Sequence, residues 1–387
     1  MNTIIAQDFL DWRDVRDAYV LQTPLLNLNN AAVSPPTKIV EAAVIEAIRF
    51  TSQNPDYNMW SKIDLALPSI KQDLAELIDC DADEIALNRN SSEGLSTAIF
   101  GIPLAAQDEV VICPWNYPSA RAGWLQRESR EGIKVVEAKF DLMADDDQIL
   151  AAYADAITSR TKVLHLTHMV HWTGRVLPVK ELCRMAQGRG IVTVIDGAQT
   201  FAQMPVSFRG LGCDYFITSL HKWLGAPVGN GMLVVNKNRI ADTWPLMAPF
   251  DKPLPVIEKF DHWNLGTYSS AVQSGIAPAV AFHKRIGAAR MHARLKELTL
   301  HWVNQARSIP GFRLHTPIKP TSLGAVVLFS IDGQDMRKLE RILREAWQVH
   351  VKYREVGPIK GLRVSPHVYM TESELDRFVT ALRASVG

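Results

Sequence analysis

Features that would commit a chain to an unusual environment are scarce in this sequence. Only four cysteines occur, Cys80, Cys113, Cys183 and Cys213, scattered without paired spacing. That argues against a disulfide framework or a zinc knuckle and fits a reducing compartment. No segment approaches the roughly 18 uninterrupted apolar residues of a membrane helix. The opening MNTIIAQDFLDWRDVRD mixes acids and bases where a signal peptide would carry an apolar core, so a cytoplasmic location is expected. Charge is nearly balanced, 42 Lys and Arg against 41 Asp and Glu for a net +1. That leaves no electrostatic argument for a nucleic-acid or anionic-membrane partner. Repeats, low-complexity tracts and long charge runs are also missing. What remains is an ordinary globular composition, 47% hydrophobic and 21% charged over 387 residues. A chain of that length can bury the core of one large domain and a smaller one.

From about residue 85 to 235, short apolar runs alternate with helical patterns. The expected strands are Glu84–Leu87, Glu109–Cys113, Lys134–Glu137, Lys162–Leu166, Ile191–Ile195, Tyr215–Thr218 and Met232–Val235. Between several of them lie amphipathic stretches such as Val179–Gln187. Nearly continuous apolar strands alternating with helices predict an α/β fold, with a mostly parallel, doubly wound sheet. The proline-rich Pro245–Trp263 breaks this rhythm and reads as an irregular excursion. A long helical pattern from Ser270 to Arg307 follows, with a break expected near Pro278. Then the order changes: strand Ala325–Ser330, helix Met336–Trp347, strands Val349–Lys352 and Leu362–Ser365, helix Glu372–Ala384. The expected division is a large domain over 25–275 and a smaller α+β domain over 276–387, to which residues 1–24 contribute.

The chemistry converges on Lys222, in Ser219-Leu220-His221-Lys222-Trp223, just past the strand 215–218. The neighbouring strand 191–195 ends at Asp196-Gly197-Ala198-Gln199. In an open parallel sheet, groups past the carboxyl ends of adjacent strands share one crevice. A lysine and an aspartate delivered there suit pyridoxal phosphate, as an amine for a Schiff base and a carboxylate for the pyridine nitrogen. Read alone, Lys222 could equally be a solvated charge and Asp196 a turn cap. The strand-to-helix segment Asn88-Arg89-Asn90-Ser91-Ser92-Glu93-Gly94 offers hydroxyls and unpaired backbone N–H groups to an anion, or is an ordinary cap. Tyr117, in Asn116-Tyr117-Pro118-Ser119, could stack on a flat ring or anchor its loop. His165, His168 and His171 recur every third residue. An extended strand would spread them over both faces, so no metal site is expected; His168 or His171 would sit near the crevice and His165 would be packed. Arg363, in Arg363-Val364-Ser365-Pro366-His367, could capture a carboxylate or snorkel to solvent. Asn58, Trp60, His171 and Trp172 are candidates for the substrate pocket.

Together these segments resemble the fold type I pyridoxal phosphate enzymes and, within them, the class V aminotransferase family. The likeness runs from Leu28-Asn29-Asn30-Ala31-Ala32 to Arg363-Val364-Ser365-Pro366-His367-Val368-Tyr369. It implies that Lys222 forms the Schiff base, Asp196 pairs with the pyridine nitrogen and Gln199 approaches the ring hydroxyl. It also implies that Tyr117 stacks on the ring and that Ser91, Ser92, Ser219 and His221 hold the phosphate. Arg363, with Asn30, would bind substrate, the arginine taking the α-carboxylate. Thr267 resembles a residue that reaches the phosphate of a neighbouring subunit, which implies a homodimer. The cysteine desulfurases of the family carry a nucleophilic cysteine shortly before that arginine, whereas Tyr353–Gly361 has none. The sequence is closest to the isopenicillin N epimerase-like branch. Transamination or epimerisation of an amino acid is therefore expected. A C–S or C–C lyase is the alternative, and a binding protein without turnover a more remote one.

Overall fold

The computed structural model describes residues 11–249, 255–261, 266–319 and 323–386. Seven strands form the central sheet: β1 (Ile85–Asn88), β2 (Glu109–Ile112), β3 (Lys134–Glu137), β4 (Thr161–Thr167), β5 (Val192–Asp196), β6 (Tyr215–Ser219) and β7 (Gly231–Val235). Their spatial order is β1-β7-β6-β5-β4-β2-β3. All neighbours from β6 to β3 pair in parallel, while β7 runs antiparallel to both β6 and β1. This is the expected α/β sheet, with strand ends shifted by one or two residues. Its strands read as unbroken apolar runs because both faces are covered: β1, β2, β6 and β7 are buried throughout. Side-chain alternation divides the core in two. Val110, Ile112, Val194 and Ile217 pack with Trp124 on one face, and Val111, Leu164, Ile195 and Phe216 join the main core on the other.

A second, antiparallel sheet comprises β8 (Phe312–Leu314), β9 (Val327–Ile331), β10 (Lys352–Val356) and β11 (Ile359–Val364), in the order β10-β11-β9-β8. Helices Ala288–Ala306, Met336–Trp347 and Glu372–Val386 pack with it, and the fully buried Trp302 sits against Phe329 and Phe378. The start of the described chain joins this part of the molecule. Leu26–Asn27 pairs in parallel with Val349–His350, Asn29 bridges to Ser365, and Arg16 pairs with Glu374 at 2.7 Å.

Three expectations change. The Ser270–Arg307 pattern is three helices, Ser270–Gln273, Ile276–Ile286 and Ala288–Ala306: the interruption expected near Pro278 falls just before it, at Ser274–Gly275, and a second, unexpected one falls at Gly287. Pro278 lies in the first turn of its helix, where a missing N–H costs nothing, whereas Gly287 adopts φ 85°, ψ 136°. The expected strand Val349–Lys352 is divided, because Val349–His350 pairs with the N-terminal segment and Lys352 opens β10. The short β8 was not anticipated. Within Pro245–Trp263 the described residues are irregular apart from a turn at Ile257–Phe260, while 250–254 and 262–263 lie outside the described residues.

Candidate active site

The carboxyl ends of β1, β5 and β6 open onto a cavity of about 550 Å³. Register brings the key groups there. Asp196, the last residue of β5, lies between Thr167 of β4 and Ile217 of β6. Ser219 ends β6, and Lys222 follows one turn later. Close packing fixes both ends of the cavity. A Cβ on Gly197 would lie 1.9 Å from the Phe216 ring, so only glycine lets the chain leave Asp196 over that ring. A Cβ on Gly94 would meet Asn88 Nδ2 at 2.7 Å and Ile217 at 2.8 Å, so glycine there lets the helix Ser91–Gly101 start hard against the sheet.

Lys222 lines the cavity, and among the described residues its Nζ makes no hydrogen bond. Burial, reinforced by the charge of Arg363 and only partly opposed by Asp196, pulls its amine down to about 8. A substantial neutral fraction therefore exists near pH 8, as a nucleophilic amine requires. Asp196 is buried and its Oδ1 accepts a 3.0 Å hydrogen bond from the Ala198 N–H. Burial raises its carboxyl, against the pull of Lys222 and that N–H. Behind it, His168 Nδ1 lies 2.9 Å from Thr200 Oγ1 and does not reach the cavity. Burial drives His168 down to about 4 and His165 down to about 3, so both are neutral. His165 Nδ1 accepts from Trp124 Nε1 at 2.8 Å, the packed role expected of it.

At the other end, Asn90 caps the helix by accepting from the Glu93 N–H at 3.0 Å. The Ser91 N–H donates to Ser219 Oγ, whose hydroxyl donates on to Ser91 Oγ, both at 2.9 Å. With Ser92 and His221 also on the wall, this end presents hydroxyls at a helix start, where the Ser92 N–H alone of the first turn has no partner among the described residues. His221 Nδ1 is 3.1 Å from the Asn230 carbonyl, so that nitrogen carries the proton. Between the two ends, Tyr117 packs edge-on to His171 with ring centroids 4.9 Å apart, and His171 continues onto Trp172 at 4.1 Å. Gln199 Nε2 donates to the Ala31 carbonyl at 2.9 Å and Oε1 accepts from Trp223 Nε1 at 3.0 Å, which leaves one amide proton uncommitted among the described residues. Trp223 in turn lies flat on His367, centroids 5.7 Å apart and planes within 5°.

Arg363 of β11 is 2% exposed, and the partners that hold it are neutral. Nη1 donates to the His171 carbonyl and Nη2 to Asn29 Oδ1, each at 2.8 Å. Burial and the nearby Arg354 both disfavour its charge, a cost that a bound anion would offset.

Of the anticipated residues, Ser91, Ser92, Tyr117, Asp196, Gln199, Ser219, His221, Lys222 and Arg363 share this cavity. Asn30 does not line it. Its amide is consumed by the Asn27 and Ser365 carbonyls, both at 2.9 Å, and by the Tyr369 hydroxyl at 2.7 Å. Its neighbour Asn29 is the one that touches Arg363. Thr267 is exposed and does not line the cavity of its own chain. Of the pocket candidates His171 lines the wall, Trp60 is exposed, and Asn58 is committed to the Phe50 carbonyl at 2.7 Å. Arg354 and Arg89 also line the cavity; Arg89 belongs to the expected anion-binding segment, whereas Arg354 was not anticipated. Arg354 had a signal: strand alternation puts it on the same face of β10 as Lys352, which pairs directly with Arg363.

The sequence profile of the family described as Aminotransferase class-V matches residues 26–378. Over 396 residues the chain is 28% identical to an isopenicillin N epimerase of Streptomyces clavuligerus, across 97% of this chain and 99% of that one. It is 25% identical over 404 residues to a probable cysteine desulfurase of Methanothermobacter thermautotrophicus, covering 98% and 99%. Among solved structures, the apo cysteine desulfurase of Thermococcus onnurineus superimposes with a TM-score of 0.87 at 21% identity, covering 96% of this chain and 97% of that one. A cystine C–S lyase in complex with its product cysteine persulfide gives 0.84 at 20% identity, covering 93% and 98%.

Proposed function

Because the chain belongs to the class V aminotransferase family, whose enzymes depend on pyridoxal phosphate, we propose that it moves the proton at Cα of an amino acid through Lys222, ending in epimerisation or transamination. One observation carries the reading: a buried lysine with a lowered pKa, an aspartate and an arginine held only by neutral partners face the same cavity. The donor set fits the cofactor. The helix start at Ser91 and the hydroxyls of Ser91, Ser92 and Ser219 would take the phosphate, and an anion there favours a second proton on His221. Tyr117 would cover the ring, and the spare amide proton of Gln199 suits a phenolic oxygen. The raised carboxyl of Asp196 suits a proton shared with the ring nitrogen.

When bound, pyridoxal phosphate supplies the sink for the electron pair left by a bond broken at Cα. Lys222 Nζ, near 8, takes and returns that proton. Arg363 orients the substrate by its α-carboxylate, with a forked geometry that fixes which bond faces the lysine.

A protein-bound persulfide is not supported. All four cysteines are buried, none lines the cavity, and burial raises every thiol, Cys113 to about 11 and Cys80 and Cys183 to about 12. Lyase chemistry needs no such cysteine and is the second reading, favoured by the likeness to the cystine C–S lyase.

The division of labour between a large part over 25–275 and a small part over 276–387 belongs to the same reading, since Arg363 comes from the second sheet and Lys222 from the first. A homodimer is also part of it. The segment from Ile39 to Leu65 leaves Ile39, Ile45, Ile48, Phe50, Tyr57, Trp60 and Leu65 exposed, a run of apolar side chains that a second copy of the chain would cover. Thr267 would act across that contact. The test is an amino acid panel incubated with holoenzyme in heavy water. Inversion without a keto acid indicates epimerisation, keto-acid-dependent amine transfer indicates transamination, and release of a β-substituent indicates the lyase.

A further inference from the structure

Resting on that reading of Lys222 and Arg363, we infer that the site takes an amino acid whose side chain carries a second anionic group, a carboxylate in the simplest case, and that Arg354 binds it. Arg354 sits on β10 beside β11, where Lys352 faces Arg363 and Arg354 faces Gly361. Residues 352 and 354 project from one face, so Arg354 is the diagonal neighbour of Arg363, at the distance where long side chains meet. Both residues line the cavity. Two cations pointed at one space repel unless something anionic lies between them.

The other charges around the cavity are already spoken for. Arg89 Nε is paired with Glu93 at 2.8 Å. Asp196 faces Lys222, and Arg363 is assigned the α-carboxylate. Arg354 alone has no matched anion: it forms no ion pair or side-chain hydrogen bond among the described residues, and its buried Nε is unpartnered. The carboxylate nearest to it electrostatically, Glu340, is engaged by Lys352 at 3.4 Å. Among the described residues Asp196 is the only carboxylate on the cavity wall, against Lys222 and three arginines. An amino acid with a neutral side chain leaves Arg354 half-buried and uncompensated; a side-chain carboxylate satisfies it.

The test uses full-length holoenzyme and needs no turnover. Calorimetric titration with glutarate, which carries two carboxylates, is compared with its monoamide, which keeps one. The dianion is expected to bind about 10- to 100-fold more tightly, the worth of one charge-assisted contact. In Arg354→Gln that preference is expected to fall to within about threefold, and in Arg354→Lys to be partly kept, with circular dichroism and melting checked on each variant. In turnover, the kcat/KM ratio of glutamate over glutamine should fall in step, through KM. Equal binding of glutarate and its monoamide by the wild type, or a preference that survives Arg354→Gln, would overturn the inference. Absence of Cα exchange with every amino acid, beside an intact glutarate preference, would instead refute the role given to Lys222 and leave the anion subsite standing.

Discussion

At the scale of single residues, environment decides role. Lys222 has a suggestive neighbour in the sequence, but its lowered pKa comes from burial and from Arg363, which lies 141 positions further on and reaches the cavity from another sheet. If the amine must be neutral to capture the cofactor, uptake of pyridoxal phosphate by apoprotein should rise as pH increases through about 8 and plateau above it, followed by stopped-flow absorbance. The direction follows from a lysine lowered by burial: more of it is reactive at neutral pH than a surface lysine near 10.4 would be. Arg363→Ala should reduce kcat/KM by about 10- to 100-fold, mainly through KM, since it removes a charge-assisted contact made by substrate and transition state alike. The lesson of Asn29 and Asn30 is similar. Two adjacent asparagines are indistinguishable by type, and only the bridge of Asn29 to Ser365 decides which faces Arg363.

At the scale of elements, the sequence is most legible where one rule operates alone. The strands of the central sheet are short apolar runs bounded by turn residues, and they are found within one or two positions because burial on both faces leaves no other reading. Helix Met336–Trp347 begins and ends where its pattern does, with Asp335 accepting from the Arg337 and Lys338 N–H groups. Reading fails where two rules compete. Pro278 does mark a break, since it sits in the first turn of the helix that follows Gly275, but the second break, at Gly287, carries no proline signal. The run Val349–Lys352 reads as one strand because its split depends on a distant partner, Leu26–Asn27. The two glycines that set the site, Gly94 and Gly197, could not be separated from other turn glycines without the Phe216 ring and the Asn88 amide beside them. Replacing Gly197 by Ala forces a carbon into that ring and should cost about 1–3 kcal/mol of stability, seen as a lower melting temperature of apoprotein together with weaker cofactor binding.

At the scale of the whole molecule, the site is a junction. The central sheet brings Asp196 and Lys222, the helix start at Ser91 brings hydroxyls, and the antiparallel sheet brings Arg363 and Arg354. Tethering the N-terminal segment to Val349–His350 and Ser365 locks these parts together through Asn29. The exposed apolar segment from Ile39 to Leu65 predicts association. Sedimentation should give a dimer for the native protein, and Ile48→Glu with Trp60→Glu should shift it toward monomer, with weaker retention of cofactor if Thr267 acts across the contact.

The central claim is that Lys222 moves the Cα proton. The most direct measurement is deuterium uptake at Cα in heavy water, by proton NMR, for native holoenzyme and Lys222→Ala given the same panel of amino acids. The account predicts visible cofactor absorbance and exchange in the native enzyme with at least one amino acid, and a loss of exchange by about 10²- to 10⁴-fold in the variant. Exchange at an undiminished rate in Lys222→Ala, or native protein that neither binds the cofactor nor exchanges any Cα proton, would contradict it.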